Sequence, residues 1–360
     1  MKLAYITRTY VPSKAAQSVQ IEAMGVSFAK ILNEEFIIIT PRGDSQDINL
    51  QTNWYRIKKG ILLFYYIKAI FKAFSFSATH IYTRDIALAV ICSFISRKKI
   101  TYEAHKEPKG KLASLLMKIF KNIRSSNKLV CISEALKNYY ISKYSWPNSR
   151  VLVAHDGVFI ERYDQYRNEN KSSLRKMINL PVKGKILMHT GSIFAGRGQE
   201  TFTEILEAFP DLIFVQVGGL KNDISRLEKK LKAYKNFILV DRVNWHELVK
   251  YQMSADFLFM PMLKTCETWW CASPLKAFEY LATGLPIIST NVGSIAEIFN
   301  SDNSIIFDPE IKNDLLEKIR HCINFPEETQ IKSKVALNMA KKYTWHNRAK
   351  SIIKFISSSK

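Results

Sequence analysis

The stretch CASPLKAFEYLATGLPIIST, residues 271–290, holds a helix start, a charged pair, a helix stop and a buried strand within one short run of chain. Ser273 suits the N-cap, Pro274 suits the first helical position, and Gly284 with Pro286 stops the helix. The spacing therefore predicts a helix over 274–283 and a strand over 286–289. Leu275, Phe278 and Ala282 recur at i, i+3 and i+7 as a core face, whereas Lys276 and Glu279 share a different face.

A helix N-terminus presents unpaired N–H groups and the positive end of the dipole. Amides around Ser273–Lys276 can thus hold a diphosphate, with Lys276 adding a full charge. Glu279, one turn further in, leans back toward that end and can accept hydrogen bonds from two neighbouring hydroxyls. A diphosphate beside a diol describes a sugar nucleotide. The plainer alternative is an i, i+3 surface pair worth ~0.2–0.5 kcal/mol.

Outward from this stretch, strand-like runs alternate with helical patterns along the whole chain. LAYIT, FIIIT, HIYTR, KITYEAH, KLVCIS and VLVAHD precede Gly157, and ILMHT, LIFVQVG, FILV, FLFMPM, PIIST and SIIFD follow a polar stretch. That alternation implies two α/β domains, each a doubly wound parallel sheet covered by helices. We place an N-terminal domain at 1–160, a linker at 161–181 and a C-terminal domain at 182–342. The final segment, 343–360, carries aromatic and aliphatic residues at helical spacing.

With 360 residues, 47% of them hydrophobic and 24% charged, the chain can bury two ordinary cores. Five cysteines without C-x-x-C spacing argue against a disulfide framework or structural zinc and fit a reducing cytoplasm. The apolar run before Arg8 is too short for a signal peptide, and the run 60–74, broken by Lys68 and Lys72, falls short of the ~20 residues that span a bilayer. Net charge is +21, and residues 1–155 hold 24 Lys and Arg against 9 Asp and Glu. Such a field attracts anionic lipid or nucleic acid alike, but no nucleic-acid module is evident, which leaves the membrane surface as the partner of the basic half. Residues 111–124 strengthen that reading, with Leu112, Leu115, Leu116, Ile119, Phe120 and Ile123 on one face and Lys111, Lys118, Lys121 and Arg124 around the other. A domain helix packed on a sheet has the same pattern.

Ligands of open parallel sheets bind beyond the carboxyl ends of strands. GSIFAGRG follows the strand ending at Thr190; Gly191, Gly196 and Gly198 permit close backbone approach and Arg197 offers a fork of donors to phosphate. An ordinary tight turn with a solvated arginine is the alternative. His105 ends KITYEAH and is either a ligand contact or a satisfied structural histidine. Glu103, two residues earlier, can orient it or pair with a lysine. Asp85 suits the cap of a helix starting at Ile86. His80, His155, His189, His246, His321 and His346 show no metal-ligand spacing and stay unassigned.

SPLKAFEYLATGLPIIST resembles the nucleotide-sugar segment of family 4 glycosyltransferases, retaining enzymes of the GT-B fold. GSIFAGRGQE (191–200) is similar to the family's glycine-rich phosphate loop, IYTRD (81–85) and TYEAH (101–105) to its N-domain strand ends, and VLVAHDGV (151–158) to the segment before its linker. The resemblance implies two Rossmann-like domains facing across a cleft, with the final helix crossing back onto the first. It implies donor contacts from Gly191, Ser192, Arg197, Val243, Ser273, Pro274, Leu275, Lys276 and Glu279, catalytic roles for His105, Arg197 and Glu279, and an acceptor side that includes Gln17, Ser18 and Arg84. The implied reaction moves a sugar, with retention, from a nucleoside-diphosphate sugar to a hydroxyl of a glycan or glycolipid in bacterial surface polysaccharide synthesis. Neither metal nor cofactor is required, and the implied location is the cytoplasmic face of the cell membrane.

Two departures stand out. Relatives commonly carry two glutamates with seven residues between them, and counting back from Glu279 puts Cys271 where the first should stand; Glu267 or backbone amides would have to substitute. Many relatives have paired glycines in the first loop, where this chain has Ala15 and Ala16. A non-catalytic sugar-nucleotide or glycan binder and a sugar-nucleotide epimerase are the alternatives.

Overall fold

The computed structural model describes residues 1–9, 11, 16–42, 53–58 and 60–358. The chain divides into two compact units, Met1–Asp156 with Trp345–Lys360, and Gly157–Thr344. In the first, β1 (Leu3–Ile6), β2 (Phe36–Pro41), β3 (Trp54–Ile57), β4 (His80–Thr83), β5 (Lys99–Ala104), β6 (Lys128–Cys131) and β7 (Val151–Val153) form a parallel sheet ordered β3-β2-β1-β4-β5-β6-β7. In the second, β8 (Lys185–Thr190), β9 (Leu212–Val217), β10 (Phe237–Val240), β11 (Phe257–Met260), β12 (Ile287–Ser289) and β13 (Ile305–Ile306) are ordered β10-β9-β8-β11-β12-β13, again parallel. Strand order reverses between β1 and β4 and between β8 and β11, so each sheet has a switch point where loops part and a ligand can enter.

Twelve of these strands coincide with the apolar runs of the sequence. The thirteenth, β3, does not read as such a run because it is an edge strand: only Ile57 is buried and Tyr55 faces out. The stretch 161–181 is not a linker. It folds as Glu161–Asp164 and Lys171–Met177, and buries Tyr163, Leu174 and Arg175 in the second unit. Arg175 bonds the carbonyl of Ser254 at 3.0 Å and the Asp256 carboxylate at 2.6 Å, so its charges are internal ties rather than the mark of a solvated connector. The chain passes between units at Asp156–Gly157 and Thr344–Trp345 instead.

The helix Trp345–Ser357 packs on the helix Ala16–Leu32 of the first unit and buries Trp345, Arg348, Ala349, Ile352 and Ile356. Arg348 and Lys128 carry polar ties, Lys128 Nζ donating to the carbonyls of Phe355 at 2.5 Å and Ser358 at 2.9 Å. Arg348 Nε donates to the carbonyl of His155 at 2.9 Å, and its guanidinium lies 3.4 Å from Glu103 and 3.9 Å from Asp156. Asp85 caps the helix Ile86–Ile95 by accepting from the amides of Ala87 and Leu88. The helix Gly110–Ile123 buries only Met117 and Phe120, leaving Leu112 and Leu115 exposed beside Lys111 and Lys118.

Burial leaves its mark on three histidines. His80 and His105 are each pushed down to about 4, and His189 well below its ordinary value, chiefly because buried rings resist charging. The folded state therefore binds fewer protons than the unfolded state between pH 6.5 and about 4, and loses stability as pH falls through that window, by on the order of 2 kcal/mol per ring. Asp156, raised to about 6 by burial, has the opposite sign and offsets part of the loss. Thermal melting followed across this window should show a net fall, shallower in His80→Leu than in the wild type; equal slopes would contradict the assignment.

Candidate functional site

The carboxyl end of β8 and the helix Leu275–Thr283 meet in the second unit. The helix starts one residue later than its sequence suggests. Pro274, with φ −71° and ψ 129°, occupies the N-cap, so Ser273 lies before the cap and the N-cap residue itself has no side chain to bond the first turn. Gly284 ends the helix in the left-handed region at φ 70°. The core face also differs. Ala277, Phe278, Tyr280, Leu281, Ala282 and Thr283 are buried while Leu275 is half-exposed, because the helix is enclosed by its neighbours Trp245–Ser254 and Pro326–Ala340.

Lys276 and Glu279 are therefore not a surface pair. Lys276 Nζ lies 2.6 Å from His189 Nε2 at the end of β8, and its ammonium is held well below the usual lysine range, first by burial and then by the charge of Arg197. Glu279 is raised, chiefly by burial. Its Oε2 accepts from Gln252 Nε2 at 3.1 Å; Gln252 also donates to Thr190 Oγ1 at 3.2 Å and accepts from the Tyr163 hydroxyl at 2.6 Å. This chain holds one carboxylate oxygen and leaves Oε1 for a ligand hydroxyl. Tyr280 closes the floor, its hydroxyl accepting from the amide of Thr190 at 2.8 Å.

The loop 191–198 covers this floor. Gly191 donates to the carbonyl of Val217 at 2.8 Å and accepts from Gln216 Nε2 at 3.0 Å, with its own φ at 100°. Gly196 and Gly198 also have positive φ, and a Cβ on either would stand 2.2 Å from the Cys266 amide nitrogen or 2.0 Å from the Pro261 ring. Ser192 is exposed. Arg197 is half-buried, with its guanidinium 5.0 Å from the Phe194 ring, and its Nε is buried without a partner among the described residues. Such a donor, next to a half-buried lysine and a helix N-terminus, is arranged for an anion. Val243, after β10, is half-buried against the same core.

In the segment TCETWWC, 265–271, Cys271 is fully buried and Glu267 is exposed. No disulfide forms among the five cysteines. Among the described residues, no group of three His, Cys, Asp or Glu side chains converges as a metal set.

The first unit holds its own buried network. Glu103 accepts from the Tyr82 hydroxyl, pairs with His105 Nε2, and faces Arg348 at 3.4 Å and Arg84 at 3.8 Å. Burial alone would raise the Glu103 carboxyl, but Arg348 and His105 outweigh it and hold it below its ordinary value. His105, pushed down to about 4 by burial and then by Arg84, is neutral at pH 7. Its Nε2–H donates to Glu103, so Nδ1 remains an acceptor. Arg84 Nη2 donates to Gln20 Oε1 at 3.0 Å, and Gln20 donates to Asp156 at 2.5 Å. Ser18 is buried and Gln17 exposed at the start of the helix Ala16–Leu32; Ala15 and most of the first loop lie outside the described residues.

Of the residues that shape these sites, His189, Gln216, Gln252, Tyr163 and Arg348 are not picked out by motif. Gln216 alone left a signal, as a polar residue within the otherwise apolar strand LIFVQV.

Residues 185–324 match the family described as Glycosyl transferases group 1. The chain is 25% identical over 206 residues to a proposed teichuronic acid biosynthesis glycosyltransferase, TuaC of Bacillus subtilis, covering 56% of this chain and 48% of that one. It spans about half the length of the curated relatives it matches. Among solved structures, a glycosyltransferase from Rickettsia africae superposes with a TM-score of 0.80 at 14% identity, covering 99% of this chain and 98% of that one. Anabaena Alr3699/HepE, solved with UDP and glucose, superposes at 0.76 and 14% identity over 99% of this chain and 100% of that one. The fold of this chain is GT-B, with two doubly wound parallel-sheet units.

Gly198→Ala should lower stability by about 2 kcal/mol or more, since a left-handed backbone alone costs ~1–2 kcal/mol and the methyl must also displace the Pro261 ring. Denaturant unfolding of the purified variant measures this. Gly110→Ala, at φ 83° with open space around its Cβ, should lose only the backbone part.

Proposed function

We propose that the protein is a retaining glycosyltransferase that moves a sugar from a nucleoside-diphosphate sugar to a hydroxyl of a glycan or glycolipid in surface polysaccharide synthesis. One observation carries the reading. Lys276, Arg197 and the amides at the start of the helix Leu275–Thr283 form a positive cradle, and Glu279 stands one turn away with an oxygen to spare. Those parts fit a diphosphate and an adjoining diol. The match of residues 185–324 to Glycosyl transferases group 1 supports it.

In this scheme Arg197 and Lys276 meet the charge that grows on the departing nucleoside diphosphate, a task otherwise assigned to a bound metal, and this electrostatic stabilisation supplies much of the rate. Glu279 accepts from the ribose hydroxyls. His105, neutral and fixed by Glu103, offers an acceptor nitrogen to a substrate hydroxyl. Gly191, Ser192 and Val243 line the donor side, and Gln17, Ser18 and Arg84 the acceptor side. Retention then follows from departure and attack on one face of the sugar.

Release of nucleoside diphosphate from a panel of UDP-, GDP- and ADP-sugars, with a lipid-extract acceptor, tests the reading. One donor should be consumed, and Glu279→Ala should slow its consumption at least tenfold, the loss of a charged hydrogen-bond acceptor costing ~1.5–3 kcal/mol. Full activity in the variant would remove Glu279 from the site. Cys271 favours a second reading, a binder of sugar nucleotides without turnover, because a buried thiol stands where the family resemblance implies a carboxylate. Tight nucleotide binding with no release for any donor would select it.

We further propose that the basic first unit rests on an anionic membrane at the inner face of the cell. No helix among the described residues is long and apolar enough to cross a membrane. The helix Leu62–Ser75 buries Tyr65, Tyr66, Ala69 and Ala73, yet exposes Phe64 by 57%, Ile67 by 54% and Phe71 by 73% in one stripe, with Lys68 beside it. Apolar wedges ringed by lysines suit the headgroup boundary. The double variant Phe64→Ser/Phe71→Ser should lose sedimentation with vesicles of anionic phospholipid while melting at the wild-type temperature; retained sedimentation would exclude this helix.

A further inference from the structure

Lys276 is held by a relay that no donor contact explains. Gln216 Nε2 is surrounded by three carbonyl oxygens, of Gly191 at 3.0 Å, Val217 at 3.2 Å and Gly218 at 2.7 Å, so the amide can face in only one direction. Its Oε1 consequently points at His189 Nδ1, 2.5 Å away. An oxygen acceptor there requires a proton on Nδ1, which leaves Nε2 with a bare lone pair, and that lone pair lies 2.6 Å from Lys276 Nζ. His189 is fully buried, with ring centroids 5.6 Å from Phe202 and 6.4 Å from Phe259, and so cannot turn aside.

Resting on the donor reading above, we propose that His189, locked by Gln216 in its Nδ1–H tautomer, is a positioning residue that aims the Lys276 ammonium at the donor diphosphate, and that the Gln216 amide links this aim to the phosphate loop at Gly191. The geometry gives both ends of the cradle one anchor. A shift of the loop carbonyl turns the amide, the amide sets the imidazole, and the imidazole holds or releases the lysine. His189, pressed well below its ordinary value by burial and by Lys276, keeps its lone pair in moderately acidic solution. The other groups that act on Lys276 are Arg197 from the loop, Glu279 from its own helix and Cys266 from the segment after β11.

Two measurements decide it. Nitrogen-resolved NMR of the histidine rings, with the His189 signals assigned by their absence in His189→Phe, should show a neutral ring protonated at Nδ1. A proton on Nε2, or a charged ring at neutral pH, overturns the relay whatever the protein binds. Calorimetric titration with UDP, GDP and ADP across pH supplies the second. His189→Phe should weaken the diphosphate that binds by about tenfold, the worth of one charge-assisted hydrogen bond. It should also move the loss of affinity with rising pH to a lower pH, since Lys276 then gives up its proton more easily. His189→Gln, which returns an acceptor oxygen, should restore most of the affinity. In a Lys276→Met background His189→Phe should cost nothing further, and an undiminished loss there overturns the proposal. If none of the three diphosphates binds the wild type, the donor reading fails while the tautomer still decides the relay.

Discussion

Holding a half-buried lysine is the constraint on which the second unit depends. An ammonium drawn partly out of water is tolerated where acceptors and opposite charge face it, and Lys276 finds them in His189 and Glu279. That requires the end of β8 and the start of the helix Leu275–Thr283 to come within one hydrogen bond, which the adjacency of β8 and β11 at the switch point makes possible. The glycines of the loop 191–198 follow from the same crowding. Gly196 and Gly198 lie against the backbone of Cys266 and the ring of Pro261, where the loops after β8 and β11 meet.

The first unit solves a related problem with the opposite charge at its centre. Glu103, on β5, is compensated by Tyr82, His105, Arg84 and Arg348, the last arriving from the far end of the chain. Removing one partner of such a buried pair typically costs 3–5 kcal/mol, because the remaining charge is stranded. The C-terminal helix is therefore held to the first unit by ionic as well as apolar contacts, and a network that fixes His105 also fastens the chain where it returns from the second unit.

Much of this was legible beforehand, and the failures have physical causes. Apolar runs marked twelve strands because a strand buried on both faces has no other composition available to it; β3 escaped because an edge strand needs no such run. The charged stretch 161–181 read as a linker since composition does not reveal whether a charge meets solvent or a half-buried carboxylate such as Asp256. The pair Lys276 and Glu279 was visible from spacing, but spacing gives neighbours on one helix only. Their burial comes from two other helices and a strand.

From the chain alone came most of the elements, their parallel arrangement, the glycine loop and the residue types gathered at the end of β8 and on the helix Leu275–Thr283, all of which rest on short-range periodicity and turn chemistry. Tertiary structure alone decided which of those groups are buried, that His189 and Gln216 stand behind Lys276, and that Arg348 reaches Glu103 across 245 positions of sequence. Protonation and orientation depend on such distant partners, because a group's charge is set by what surrounds it in space, and sequence order records only what precedes and follows it.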